Sequence, residues 1–188
     1  MAGKFRLLSC RDMKEPPETL YQGRFLRLMR RGHWEFAERV HPGGAVVLVA
    51  VTPGGELLLV EQYRPPLGRR VIELPAGLIG DDPEHADEHW RRAAARELEE
   101  ETGWQAARFE KLTEGPSTAG LSSETVVLAM ALELSRVGEG GGDASEDITV
   151  HAVPVDQVHE WLAEREREGL RADPKVYAGL YFLAARPA

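Results

Sequence analysis

At 188 residues and 20.8 kDa the chain has the length of one domain, or of one domain with a small extension. Its 43% hydrophobic and 29% charged residues exclude a mainly disordered chain and supply enough apolar material for a core. With 23 Lys and Arg against 31 Asp and Glu, the net charge of −8 excludes the overall footprint of a general nucleic-acid binder, and it suits an acidic enzyme whose anionic substrate arrives with a divalent cation.

The segment Met1 to Glu15 mixes Lys, Arg and polar residues and carries no secretory pattern. Its Cys10 is the single cysteine, so an intramolecular disulfide framework and a cysteine-built zinc site are excluded. No apolar run approaches the roughly 20 residues of a membrane span. The expectation is a soluble, cytoplasmic protein with no membrane or nucleic-acid partner.

Turn chemistry then divides a strand-rich first third. Leu20 to Leu28 and Trp34 to Val40 read as strands separated by Arg31-Gly32. His41-Pro42-Gly43-Gly44 is a strong turn, because Pro presets φ and Gly accepts positive φ. Ala45 to Thr52 is an almost continuous apolar run, the pattern of a strand covered on both faces. Pro53-Gly54-Gly55 leads into Glu56 to Tyr63, and these two runs read as a hairpin. Pro65-Pro66 ends that strand, and Val71 to Leu74 is a further short one.

From Pro83 to Thr102 the chain is dominated by Ala, Glu, Arg and Leu, which predicts a helix capped by Asp81 or Asp82 and stopped by Gly103. Strand character resumes over Arg108 to Leu112 and Thr125 to Leu134. The tract Val137 to Ala144, with Gly138, Gly140, Gly141 and Gly142, reads as flexible. Ile148 to Val153 is a strand, followed by helices over Val155 to Glu168 and Pro174 to Ala185. Strands, one helix, more strands and then helices predict an α/β or α+β sandwich.

The chemistry is concentrated in Arg96-Glu97-Leu98-Glu99-Glu100-Glu101-Thr102-Gly103-Trp104. On a helix, Glu97, Glu100 and Glu101 stand at i, i+3 and i+4 and share one face. Like charges at that spacing repel, and they lie at the helix end whose dipole disfavours anions. An acidic run is ordinarily a solvated face. Here a hard divalent cation, Mg²⁺ or Mn²⁺, would turn the repulsion into coordination. Arg96, four residues before Glu100, can hold a carboxylate in its ligating rotamer. Glu73-Leu74-Pro75-Ala76-Gly77 places a strand end and a tight turn ahead of this helix.

These residues resemble the signature of the Nudix hydrolase family, G-x5-E-x7-R-E-U-x-E-E-x-G-U, where U is apolar. Arg96 through Trp104 fit its second half, and Glu88 stands with seven residues between it and Arg96. Asp82 occupies the place of the first glycine. Gly77 lies nineteen positions before Arg96 instead of fourteen, which a five-residue insertion between Gly80 and His89 would reconcile. Glu84 competes with Glu88 for the isolated acidic position.

The resemblance implies a Nudix-type α/β/α sandwich of mixed sheets with a catalytic loop-helix-loop. It implies an N-terminal antiparallel strand extension over residues 1–42 and a hydrolase domain over 43–188. Its metal ligands carry over to Glu97, Glu100 and Glu101, with Mg²⁺ as cofactor and Mn²⁺ as a substitute. Glu61-Gln62-Tyr63-Arg64-Pro65 and Glu73 to Gly77 are similar to the ADP-ribose and nucleotide-sugar pyrophosphatase branch. In that branch the carbonyl at Ala76 also binds metal. An Arg at position 64 suits diphosphate oxygens in fork geometry, beside Glu73 and Gly77. Gly115 to Glu124, with Pro116, resembles the branch's specificity loop, although Ala119 interrupts its Pro-Gly pair.

The branch also implies a glutamate base on a mobile loop, which falls on Glu146, with Asp143 or Glu124 as alternatives. It further implies a homodimer in which Trp34 stacks on adenine and Glu35 accepts its amino proton. The implied reaction is attack of water on one phosphorus of a nucleoside diphosphate sugar, which for ADP-ribose gives AMP and ribose 5-phosphate. UDP- or GDP-sugars, or a ligand-sensing domain without catalysis, are the alternatives.

Overall fold

The structure, a computed structural model, describes residues 16–41, 43–80, 89–142 and 147–186. Cys10, Asp81, Asp82, Glu84, Glu88, Asp143 and Glu146 lie outside the described residues. The chain divides into two compact units, one from residues up to Pro42 together with Gly115–Thr125, the other from Gly43–Glu114 and Val126–Ala188.

In the first unit, β1 (Glu18–Gln22), β2 (Leu26–Arg31) and β3 (Trp34–Arg39) form an antiparallel sheet in that order. The strand predicted over Leu20 to Leu28 is thus split. Gly23 donates its N–H to the Leu26 carbonyl at 2.8 Å and closes a turn that Gly tolerates. Residues 121–123 run beside β3, with Ala37 N–H donating to Leu121 O at 2.8 Å and Ser123 N–H to Ala37 O at 3.1 Å. Arg39 forms an ion pair with Glu124 in the same unit.

The second unit contains two mixed sheets. One has the order β7-β4-β9-β8, from β4 (Ala45–Ala50), β7 (Ala76–Leu78), β8 (Trp104–Pro116) and β9 (Thr125–Arg136). The other has the order β10-β5-β6-β11, from β5 (Glu56–Arg64), β6 (Arg69–Glu73), β10 (Ile148–Pro154) and β11 (Arg171–Ala172). The predicted hairpin of β4 and β5 does not form a ladder. The Pro53-Gly54-Gly55 turn closes as expected, yet past the single Val51–Leu57 bridge the strands enter different sheets. Each already has a neighbour on both edges, so neither has a free edge for the other.

Alternation along these buried strands supplies two apolar clusters. Val46, Leu48, Ala50 and Leu58 pack on Ala93, Ala94 and Leu98 of α1 (Trp90–Thr102). Val47, Val49, Leu57 and Leu59 pack with residues of α2 (Val158–Arg167) and α3 (Pro174–Ala184). Helices therefore flank the sheets on both sides, as the α/β/α expectation requires. No helix among the described residues is long and apolar enough to cross a membrane.

The helix predicted from Pro83 begins at Trp90. His89, in extended conformation, is its cap, and its Nδ1 accepts the Arg91 N–H at 3.3 Å. An extended residue at that point cannot lie inside a helix that starts earlier. The predicted stop holds: Gly103 is left-handed, at φ 73°, and its N–H donates to Glu99 O at 2.8 Å. α2 starts later than expected, because Pro154 to Gln157 form a turn closed by Gln157 N–H on Pro154 O at 2.8 Å.

Candidate active site

The acidic face of α1 is brought against β7, a three-residue strand too short to announce itself in the sequence. Pro75 fixes its entry, its carbonyl accepting the Leu48 N–H at 2.8 Å, and Ala76 to Leu78 pair with Val47 to Ala45 of β4. Successive contacts then join β7 to the helix. The Ala76 N–H donates to Glu101 Oε2 at 2.9 Å. Glu97 lies across Gly77, where a Cβ would fall 1.8 Å from the Glu97 carboxyl carbon. Arg96 donates to the Leu78 carbonyl at 3.2 Å. Gly77 leaves the space that the Glu97 carboxylate fills, and a side chain at this strand position would have to displace it.

Arg96 also holds two of the three carboxylates, donating to Glu97 Oε1 at 2.8 Å and to Glu100 Oε2 at 3.3 Å. Glu101 is 2% exposed, a burial that a carboxylate tolerates only with hydrogen-bond partners. Glu100 is the most open of the three. Among the described residues, no three His, Cys, Asp or Glu side chains are gathered into a metal-binding group. The donor types nevertheless suit a hard cation: three carboxylates from one helix, facing the strand that carries the Ala76 carbonyl. The chemistry of the donor set therefore fits magnesium, although the carboxylates are turned to Arg96 and the Ala76 amide.

Arg64 and Glu73 are brought together. They lie at the ends of neighbouring antiparallel strands, and Arg64 Nε donates to Glu73 Oε2 at 2.6 Å. Glu73 is paired with Val60, two residues from Leu58, so this ion pair lies on the face of the sheet that α1 covers. On the opposite face Arg70 bonds Glu61 at 2.6 Å and Asp147 at 2.7 Å, and His151 meets Glu61 at 3.0 Å. The hydrogen bond that Arg70 donates to Asp147, and with it the one to Glu61, outweighs the opposing effect of burial and holds the guanidinium above its ordinary pKa.

Trp34 and Glu35 lie in the first unit. As consecutive strand residues they project from opposite faces of the sheet, so one copy of β3 cannot present both to the same face of a ligand. The Trp34 indole N–H donates to Gly120 O at 3.2 Å, and the ring is half exposed. Glu35 is paired across the sheet with Arg30. The Arg30 guanidinium is held above its usual range, first by its hydrogen bond to Glu18 and also by the nearby Glu35 charge. Pro116 ends β8 at the start of the 117–124 loop, which is closed by Ser117 N–H on Glu124 O at 3.0 Å.

The glycine tract, expected to be flexible, is docked as far as Gly142. Gly141 and Gly142 donate their N–H groups to the carbonyls of Glu101 and Glu100, at 2.8 and 3.0 Å. A cleft of about 530 Å³ opens beside it, floored by Leu58, Ile148 and Val150 and walled by Thr102, Trp104 and Arg136. Nothing in the composition of the tract distinguishes docking from mobility. Its one signal was the coincidence of several glycines with Gly103 at the helix end.

A family profile described as the NUDIX domain matches residues 40–173. A methanol dehydrogenase activator of Bacillus methanolicus is 31% identical over 157 residues, which cover 79% of this chain and 81% of that protein. The ADP-ribose pyrophosphatase of Bacillus subtilis strain 168 is 37% identical over 129 residues, covering 67% of this chain and 65% of that enzyme. A crystal structure of an ADP compounds hydrolase matches with a TM-score of 0.60 at 22% identity, covering 77% of this chain and 80% of the other. A likeness at that identity shows a common fold.

Proposed function

The chain belongs to the Nudix hydrolase family, and on that premise we propose that it cleaves the pyrophosphate bond of ADP-ribose or a related nucleoside diphosphate sugar. The products are a nucleoside monophosphate and a sugar phosphate. The observation that carries the reading is the seating of Glu97 and Glu101 against the Ala76–Leu78 strand, with Arg96 joining Glu100 to them. Similarity to an ADP-ribose pyrophosphatase supports the substrate class.

Glu97, Glu100, Glu101 and the Ala76 carbonyl would hold Mg²⁺, or Mn²⁺ in its place. Such a cation supplies charge neutralisation at the diphosphate and orientation of the attacking water. The protein's own groups do the rest. Arg96 restrains the Glu97 and Glu100 side chains, and the Ala76 amide fixes Glu101. Arg64 donates to diphosphate oxygens, and Glu73 aims it. Gly77 keeps the strand close to Glu97, and Pro116 belongs to the loop proposed to set substrate specificity. Glu146, with Asp143 or Glu124 as the alternatives, takes the proton of the attacking water. The P–O bond to the bridging oxygen then breaks, and the leaving phosphate carries the electron pair.

A homodimer is part of this reading. Its support is the apolar exposure of the first unit, where Tyr21, Leu26 and Leu28 are 70, 50 and 40% exposed and Tyr21 lies directly opposite Leu28. A cytoplasmic location is part of the same reading. Trp34 is the base-stacking residue proposed within that dimer.

The test is a panel of ADP-ribose, UDP-sugars and GDP-sugars with Mg²⁺, scored by phosphate released after phosphatase treatment. Conversion of ADP-ribose to AMP and ribose 5-phosphate is the expected result. Turnover confined to UDP- or GDP-sugars would move the substrate. Tight binding without turnover of any of them would favour a ligand-sensing domain. Similarity to a dehydrogenase activator supports a second reading, action on a dehydrogenase, which predicts stimulation of such an enzyme by the purified chain.

A further inference from the structure

We propose that the glycine tract from Gly140 to Gly142 is a positioning element for the carboxylate-bearing end of α1, and that it acts on the helix through main-chain hydrogen bonds. The inference rests on the metal role proposed for Glu97, Glu100 and Glu101.

A helix leaves its last four carbonyls without intrahelical partners. In α1 the Glu99 carbonyl is taken by Gly103 N–H at 2.8 Å, Glu100 by Gly142 at 3.0 Å and Glu101 by Gly141 at 2.8 Å. The Gly103 carbonyl accepts from Val137 at 2.8 Å and Gly138 at 3.0 Å. Two of these carbonyls belong to residues proposed to hold the cation. The tract therefore fixes the backbone from which those side chains depart. It also aims amide dipoles at the negative end of the helix, where three carboxylates are least favoured.

The close approach depends on glycine at one position more than its neighbours. A Cβ on Gly140, which has φ 71°, would fall 2.4 Å from the Thr102 carbonyl carbon and 2.7 Å from Glu101 O and Gly103 N. All three are main-chain atoms and cannot swing aside. A Cβ on Gly138 would meet nothing closer than the Gly103 Cα at 3.8 Å, and Gly138 is not in the left-handed region.

Gly138→Ala and Gly140→Ala therefore form a matched pair. Mn²⁺ affinity is measured by electron paramagnetic resonance of the free ion, and turnover of ADP-ribose is followed against Mg²⁺ concentration. Gly140→Ala is expected to weaken Mn²⁺ binding about tenfold, a typical coupling between linked sites. It should raise the Mg²⁺ needed for half-maximal turnover by the same factor and leave KM at saturating Mg²⁺ unchanged. Gly138→Ala should match the parent protein. A folded Gly140→Ala variant with parental Mn²⁺ affinity would overturn the proposal, as would equal damage from Gly138→Ala.

Should Gly140→Ala fail to fold, linkage supplies the same test in the unaltered chain. Added Mg²⁺ must then slow amide exchange at Gly141 and Gly142, and unchanged rates reject the coupling. An unaltered chain that binds no Mn²⁺ at all would instead remove the metal role, and this inference with it.

Discussion

Glu101 is buried and receives the Ala76 amide, whereas Trp34 is half exposed and gives its indole N–H to a loop carbonyl. The two regions they represent differ in the same way throughout. Around α1 and β7 Arg96 holds Glu97, Glu100 and the Leu78 carbonyl, the Ala76 amide holds Glu101, and a single added carbon at Gly77 would collide with Glu97. On the three-stranded sheet Leu20, Tyr21, Leu26, Leu28 and Trp34 are exposed, while Met29 is buried, and the charges form a surface ladder, Glu18–Arg30–Glu35. A preorganised polar cluster in a small space is the arrangement that chemistry needs. An open apolar sheet with aromatic side chains is one that gains from being covered.

That contrast can be broken most decisively at Glu101. Glu101→Gln keeps an acceptor for the Ala76 amide, so thermal unfolding should change little. Turnover should nevertheless fall by about a hundredfold or more, because a ligating charge is gone. Near-parental activity in steady-state assays would show that burial, and not catalysis, explains this side chain.

Gly77→Ala sharpens the same point with a smaller effect. The added methyl must displace the Glu97 carboxylate, and overpacking of this kind costs about 1–3 kcal/mol. The expected outcome is a loss of activity at limiting Mg²⁺ that exceeds what the lowered melting temperature accounts for. Equal activity at all Mg²⁺ concentrations would detach Gly77 from the carboxylate.

On the sheet the effects should be smaller and should separate. Trp34→Ala should raise KM for ADP-ribose about tenfold if the ring stacks on the base, since such stacking is worth ~1–3 kcal/mol. Glu35→Ala, on the other face, should leave KM nearly unchanged and alter only the surface ladder. Parallel increases from both substitutions would mean that two copies of the strand reach the same base.

The difference between the regions also governs what the sequence reveals. The carboxylate face of α1 and the Gly103 stop follow from the helical period and from glycine's conformational range, and both are found where expected. The pairing of Arg64 with Glu73 is not legible, because the register sets Arg64 opposite Arg69 and Glu73 opposite Val60, and only the reach of the arginine along one face of the sheet joins them. Proximity in sequence suggested a hairpin of β4 and β5, but each strand has other neighbours on both edges, β7 and β9 for β4 and β10 and β6 for β5, and so the two lie in different sheets. Trp34-Glu35 read as one recognition pair until strand alternation placed them back to back. The glycine tract read as slack chain, since glycine serves close approach and mobility equally well and only the carbonyls of Glu100 and Glu101 decide between them.

The central claim, that three carboxylates on α1 take up a divalent cation for diphosphate cleavage, is tested most directly by calorimetric titration. Mg²⁺ is added to the unaltered chain and to Glu101→Gln, with and without a non-cleavable ADP-ribose analogue. Saturable uptake in the unaltered chain, strengthened by the analogue and lost in the variant, is predicted. Identical heats in the two proteins, or no uptake in either, would contradict it.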